Sequence, residues 1–306
     1  MISALTIARG RRAHLANVML GLAAQTERPG ELVIGVMDAA PFEGLPEVPF
    51  PVRQVLVPGD LLPLAAARNA VARAARGEQL VFLDVDCIPA RGCLADYARH
   101  RAAGADGLLM GEVMYLPKGA QDAGLDFEAF ARVGVRHSDR RAAPAEGTDP
   151  CNDYRCFWSL NFAIDRATYH AHGGFDERYV GYGGEDTDFA KSLSTQGVPI
   201  HWVAGARVYH QFHRHHMPPV HHIATVLANS ALFADKWGYA TMEHWIRAFR
   251  LMGLVERRRL GVVQVREPDA ADFALSEQRD DMPYANSTRV IRKLEARLAA
   301  APMAAE

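Results

Sequence analysis

Two acids one residue apart close an apolar run at Phe82-Leu83-Asp84-Val85-Asp86-Cys87. A buried strand that ends in two carboxylates must find them a counter-charge, because unpaired charge is costly away from water. A divalent cation answers that need, and hard carboxylate oxygens suit Mg²⁺ or Mn²⁺. An acidic turn open to solvent is the plainer reading, since two acids at this spacing are common. A second acidic cluster follows dense glycine: Gly173-Gly174-Phe175-Asp176-Glu177, then Gly181-Tyr182-Gly183-Gly184-Glu185-Asp186-Thr187-Asp188. Closely spaced glycines let the backbone turn tightly and approach a ligand. A helix is expected to start at Glu185, and compensation of the helix dipole would by itself explain acids in its first turn. Asp186, Phe189, Ala190 and Leu193 stand at i, i+3, i+4, i+7, which sets Asp186 at the tip of the apolar face, a place for a general base. Seven of the 13 histidines fall between His201 and His222, among them His210, His213, His215 and His216. Such a tract is either a polar loop or a source of metal ligands. One of these histidines could complete a site at Asp86, whereas a separate zinc site lacks the Cys partners it would need.

The elements that would carry these groups alternate in type. Strands are expected over residues 2–8, 32–37, 52–57 and 80–83, the second and third of them buried. A helix follows the first strand, with Leu15, Val18, Met19 and Leu22 at helical spacing. Another opens at Pro63, where the missing N–H does no harm, and a third covers residues 91–103. Strands alternating with helices imply right-handed βαβ units and a mostly parallel sheet, an α/β fold. Ligands then gather beyond the carboxyl ends of the strands, which directs attention to Ala8 and Arg9, Asp38, Asp84 and Asp86. Residues 117–150 lose pattern to Gly, Pro and charge and are expected to form a long surface excursion with a helix near 125–133. Order returns over 157–164. Two helices are expected over 219–260, with Ile223, Val226, Leu227 and Phe233 on one face, and the polar, Ala-rich stretch 269–306 ends in a peripheral helix.

The bulk composition excludes several classes. The 306 residues are 49% hydrophobic and 23% charged, with 34 basic and 36 acidic side chains for a net charge of −2. That is ordinary globular composition, without the basic excess of a nucleic-acid binder. The run Arg257-Arg258-Arg259 reads as a solvated helix end. No stretch approaches the roughly 18 apolar residues of a membrane span, and Met1 runs almost directly into a strand, so no signal peptide is expected. The expectation is a cytoplasmic protein, peripheral at most at the inner membrane face. Four cysteines, Cys87, Cys93, Cys151 and Cys156, are too few for a disulfide scaffold and are expected to be reduced.

In combination these motifs resemble the GT-A glycosyltransferases, particularly family 2 and the animal β-galactosyltransferases. Pro63-Leu64-Ala65-Ala66-Ala67-Arg68-Asn69 followed by Val81-Phe82-Leu83-Asp84-Val85-Asp86 resembles the pairing ARN…LDxD. Phe162, Gly173-Gly174-Phe175-Asp176-Glu177 and Gly181-Tyr182-Gly183-Gly184-Glu185-Asp186 resemble the block GGFDE…GWGGED, with Tyr182 in place of Trp. The resemblance covers about residues 1–215. It implies a GT-A domain over 1–215, with a nucleotide-binding half of about 1–115 and an acceptor-binding half of about 116–215. Residues 216–306 would be a helical extension packed on the same domain. It further implies an inverting, metal-dependent hexosyl transfer from a nucleotide-sugar, a UDP-sugar above all, to a glycan, lipid-linked or small-molecule acceptor. Asp186 would be the base, and Asp86 with His210 would hold Mn²⁺ or Mg²⁺, His213 being the alternative ligand. Ala8, Arg9, Asp38, Arg68, Asp84 and Val85 would face the nucleotide. Trp158, Asn161, Gly183, Gly184 and Glu185 would face the sugars.

Three rivals remain: a sugar nucleotidyltransferase, a non-catalytic nucleotide-sugar-binding protein, and a zinc hydrolase built on the histidines. The first usually carries a glycine-rich loop after the first strand, whereas Thr6-Ile7-Ala8-Arg9-Gly10-Arg11-Arg12 has a single glycine. Whether the helices after Pro219 complete the core or form a homodimer face is left open.

Overall fold

The computed structural model describes residues 1–259, 261–278 and 287–300. Expectations that fall on residues 260, 279–286 and 301–306 lie outside them. The chain divides into two compact units, Met1–Val180 with Glu185–Phe212, and Gly181–Gly184 with the chain from His213.

The first unit begins with the expected alternation: β1 (Ile2–Ala8), α1 (Arg12–Ala23), β2 (Glu31–Val36), β3 (Val52–Leu56), α2 (Leu64–Ala74) and β4 (Gln79–Leu83). It continues through β5 (Cys87–Pro89), α3 (Cys93–Ala102), β6 (Leu108–Met110), β7 (Val113–Tyr115), α4 (Phe127–Val133), β8 (Val135–Arg136) and β9 (Thr148–Pro150). It closes with β10 (Asn161–Asp165), α5 (Arg166–Ala171), α6 (Glu185–Thr195), β11 (Ile200–Val203) and β12 (Val208–His210). The main sheet runs β3-β2-β1-β4-β10-β6-β11-β9. Its first four strands are parallel, the α/β arrangement expected from the alternation of strands and helices. The third strand is the edge of the sheet and is only partly buried, a departure from the buried strand expected there. The interruption is β10, antiparallel to β4 and to β6. A smaller sheet runs β5-β12-β7-β8, from strands of two or three residues, too short to show a period of two.

An aromatic core fixes the two acid-bearing elements. Phe82, two residues before Asp84, stacks on Phe162 with centroids 4.5 Å apart. Phe189, one turn beyond Asp186, stacks on Phe175 at 4.1 Å and meets Phe162 at 6.3 Å. Stacked and tilted aromatic pairs add specific geometry to burial, so the end of β4 and the start of α6 are set against one packed cluster.

The cysteines correct one expectation. Cys151 and Cys156 are joined (S–S 2.10 Å), while Cys87 and Cys93 are free and buried. A short helical turn at Tyr154–Cys156 brings the two sulfurs together at a spacing that no common motif announces.

The second unit contains α7 (Ile223–Trp237), α8 (Glu243–Leu251), the hairpin β13 (Val255–Arg258) and β14 (Gly261–Gln264), α9 (Ala270–Ser276) and α10 (Ser287–Ala300). The arginine run therefore starts in a strand, not at a helix end. Gly253, at φ +70°, closes the turn after α8, a conformation favoured in glycine. The last helix is not peripheral to its unit: Val290, Ile291 and Leu294 are buried, and Val290 and Leu294 join a core with Val226 and Phe249. No helix among the described residues is long and apolar enough to cross a membrane.

One buried side chain ties the strands beneath the site. Asn161, fully buried, accepts from Tyr97 Oη (2.9 Å) and donates from Nδ2 to the carbonyls of Ala206 (2.6 Å) and Glu112 (3.3 Å). Asn161→Ala strands buried partners at about 1–3 kcal/mol each; the expected result is a clear fall in the urea midpoint, and an unchanged midpoint would refute this bracing role.

Candidate active site

Asp84 and Asp86 emerge where β4 ends. Asp84 is half-buried, and its Oδ1 accepts the Val85 N–H at 2.8 Å. Burial, and then the neighbouring charge of Asp86, push its carboxyl up to about 6, against the pull of Arg68 and Arg11. Asp86 is buried and forms an ion pair with Arg11, while His14 Nε2 lies 3.9 Å from its other oxygen. β12 runs antiparallel to β5 and sets His210 opposite Cys87, one residue from Asp86. Ligand atoms of Asp86 and His210 consequently lie within 4.8 Å of each other, and Tyr115 stacks on the imidazole at 4.7 Å. One carboxylate oxygen and one imidazole nitrogen at this separation fit a divalent cation such as Mn²⁺. His213, the alternative ligand, belongs to the second unit.

The head of α6 carries the second acidic pair. Glu185 and Arg68 form an ion pair at 3.0 Å, with side chains 8% and 6% exposed. The Arg68 guanidinium also lies over Phe175, 5.1 Å from the ring centroid. Asp186 is half-buried and accepts the Thr187 N–H at 2.7 Å. Burial and then the charge of Glu185 raise its carboxyl to about 7, with Arg68 opposing. A carboxylate that titrates near neutrality is suited to general-base work.

Asn69, next to Arg68 on α2, holds the glycine block. Its Oδ1 accepts from the Phe175 N–H (2.9 Å) and Tyr169 Oη (2.6 Å), and its Nδ2 donates to the Phe175 carbonyl (2.8 Å) and Glu177 (2.9 Å). The motif Arg-Asn thus divides its work: Arg68 reaches the acids, and Asn69 anchors the loop before them.

The other expected residues fall in several places. Ala8 is buried at the end of β1, and Arg9 is exposed. Asp38 Oδ2 accepts the Gly10 N–H at 2.7 Å. Asp38 lines a surface groove with Arg12, Pro41, Phe42, Glu43 and Gly44, whose far wall Gln54 pins through both groups of the Phe42 backbone. Val85 is buried between the two acids. Thr6, Arg68, Asp84 and Ser159 meet at a small crevice. Trp158 is half-buried and packs edge-on with His137 at 5.2 Å. Asn161 has its amide committed to the fold, as described above. Gly183 and Gly184, at φ +86° and +92°, lie in the second unit. A Cβ on Gly183 would come within 2.7 Å of Met242 Sδ and 2.8 Å of Trp245, so the chain can pass there only as glycine. Next to it, Tyr182 stacks on His222 (4.9 Å) and Trp245 (5.7 Å).

Sequence reasoning missed Arg11, His14 and Arg140. Arg11 could have been suspected as a cation in the turn after β1. Arg140 stands in the unpatterned excursion, which offered no signal.

Comparisons with known proteins bear on the family and the fold. The profile described as glycosyl transferase family 2 matches residues 55–142, and that described as the N-terminal domain of galactosyltransferase matches residues 140–216. Chondroitin synthase of Escherichia coli is 28% identical over 170 residues, 48% of this chain and 25% of that protein. Validoxylamine A glucosyltransferase of Streptomyces hygroscopicus subsp. jinggangensis (strain 5008) is 41% identical over 44 residues, 14% of this chain and 10% of that protein. The chain therefore matches a quarter or less of the length of these relatives. Among solved structures, GalNAc-T7 crystallised with UDP, GalNAc and Mn²⁺ superposes with a TM-score of 0.56 at 15% identity, covering 82% of this chain and 50% of that one. The fold is GT-A, and together the matches support a glycosyltransferase of the family 2 type.

Because burial raises the Asp186 carboxyl above its ordinary value of 3.8, the folded state holds the proton more tightly than the unfolded chain. Its contribution therefore lowers stability as pH rises from about 4, and the loss is complete above about 7. Asp186→Asn, neutral at every pH, is expected to raise Tm by about 2–4 °C at pH 8 and to leave it unchanged at pH 3.5. Equal Tm values at both pH values would mean that the carboxyl is not raised.

Proposed function

We propose that the chain is an inverting, metal-dependent glycosyltransferase that moves a hexosyl group from a UDP-sugar to an acceptor hydroxyl. The observation that carries this reading is the pairing of two acids in different roles. Asp86 lies beside His210 where a cation fits, and Asp186, beside the Arg68–Glu185 pair, has a carboxyl raised to neutrality. The presence of UDP and Mn²⁺ on GalNAc-T7 supports the choice of donor and metal.

In this mechanism the residues near 1–115 bind the nucleotide and those near 116–215 the acceptor. The groove at Asp38 takes the base, and the backbone at Ala8, Arg9 and Val85 borders the nucleoside. Asp84 and Arg68 lie toward the ribose and phosphates. Asp86 and His210 hold the divalent cation, which when bound supplies positive charge against the diphosphate leaving group. Trp158 offers an aromatic face to a sugar ring, and Glu185, fixed by Arg68, borders the acceptor. Gly183 and Gly184 border the donor sugar. Asp186 accepts the proton of the acceptor hydroxyl as its oxygen attacks the anomeric carbon from the side opposite the departing UDP. One displacement of this kind inverts the anomeric configuration, and alignment of the two substrates supplies much of the rate.

Calorimetric titration of UDP is expected to show binding with Mn²⁺ that a chelator abolishes. Silence under both conditions, with GDP, CDP and dTDP silent too, would end the donor assignment. Asp186→Asn is expected to lower kcat by on the order of 10³ with UDP affinity intact, and the acid limb of kcat should lie near pH 7, where Asp186 gains its proton. Asp86→Ala should instead weaken metal-dependent UDP binding. Unchanged metal affinity in that variant would remove Asp86 from the ligand set.

A further inference from the structure

Arg140 is 6% exposed, yet neither of its Nη nitrogens donates to an acceptor among the described residues. Buried guanidinium groups ordinarily meet a carboxylate or several carbonyls, because an unpaired buried charge is expensive. Two indoles pack on it instead: Trp158 and Trp202 each have their ring centroid 5.0 Å from the guanidinium carbon. Cation–π contact offsets part of the burial cost but uses no N–H. Burial pulls the guanidinium below its ordinary value, and the groups opposing that shift are Tyr115, Cys87, Tyr97 and Asp186.

We propose that Arg140 is a carboxylate receptor, and that the acceptor of this enzyme carries an acidic sugar whose carboxylate pairs with the two Nη groups. The contacts with the indoles use no N–H, so both Nη groups are left to donate, and a planar two-oxygen anion matches their edge through two parallel hydrogen bonds. The donor diphosphate is the poorer match. A phosphate can engage the same fork, but in the proposed reaction the Asp86–His210 cation site with Arg11 already provides for the diphosphate. Trp158 is half-buried, so one of the two rings packed on Arg140 reaches the surface. The inference rests on the transferase reading for the word acceptor, but the binding chemistry stands on Arg140 alone.

The test is binding of methyl β-D-glucuronoside against methyl β-D-glucoside, by calorimetry or saturation-transfer NMR, to the full chain with and without UDP and Mn²⁺. Wild-type protein is expected to favour the glucuronoside by about tenfold or more. Arg140→Gln should abolish the preference while UDP affinity stays unchanged. Arg140→Lys keeps the charge without the fork and should retain only a fraction of the preference; it decides the matter if the Gln variant does not fold. Wild-type protein that binds the two glycosides equally, or binds neither, overturns the proposal. So does an Arg140→Gln variant that keeps the preference, or one that loses UDP affinity and leaves the preference intact, which would give Arg140 to the diphosphate. Failure of UDP to bind would count against the transferase reading alone, since glucuronoside preference is also read without nucleotide.

Discussion

Like charges gathered in a poorly solvated edge repel one another, and the first unit is organised around holding four of them. Asp84 and Asp86 stand at the end of β4, and Glu185 and Asp186 at the head of α6. Arg68 bonds Glu185 directly and acts on both Asp84 and Asp186 through its charge. Arg11 neutralises Asp86. The balance is incomplete by construction: the Asp84 and Asp186 carboxyls stay raised, so the acids remain receptive to protons and cations. In the proposed reaction the site accepts a cation and a proton, which it could not do with all its charge satisfied internally.

Holding such a cluster requires a rigid support, and two buried asparagines provide it. Asn69 uses both ends of its amide to fasten the glycine block to α2, and Asn161 uses both of its ends to join β10 to Tyr97 on α3 and to the chain at Glu112 and Ala206. A fully satisfied buried amide is directional in a way that an apolar contact is not. The aromatic cluster of Phe82, Phe162, Phe175 and Phe189 then fills the space between, so that errors in the angle of α6 would be felt as lost packing.

Legibility followed the range of the signal. β1, α1, α2 and β4 were readable because their periodicity lies within a dozen residues, and the acids of Asp84, Asp86, Glu185 and Asp186 because they sit beside that periodicity. β10 read as ordered, but nothing local marks it as antiparallel between β4 and β6. The three-residue strands β5, β7 and β12 have no period to read, although their register is what brings His210 beside Asp86. The hairpin of β13 and β14 was hidden by an arginine run that suits a helix equally well. Asn161 was expected to face the sugars from the resemblance alone, whereas its side chain is bonded to Tyr97, Glu112 and Ala206. Arg140 left no trace in sequence, since its setting is made by Trp158 and Trp202, the latter some sixty positions away.

The insertion of β10 between β4 and β6 has a bearing on how such chains can be recombined. Its register with β4 runs from Asn161 opposite Leu83 to Asp165 opposite Gln79, and α2, early in the chain, is laced by Asn69 to residues 169–177. The proposed donor and acceptor halves are therefore not separate structural halves. A cassette exchanged near residue 115 between relatives would bring a foreign β10 to a resident β4 and a foreign glycine block to a resident α2. The unit of inheritance is the interlocked set of α2, β4, β10 and α6, which an exchange has to carry whole.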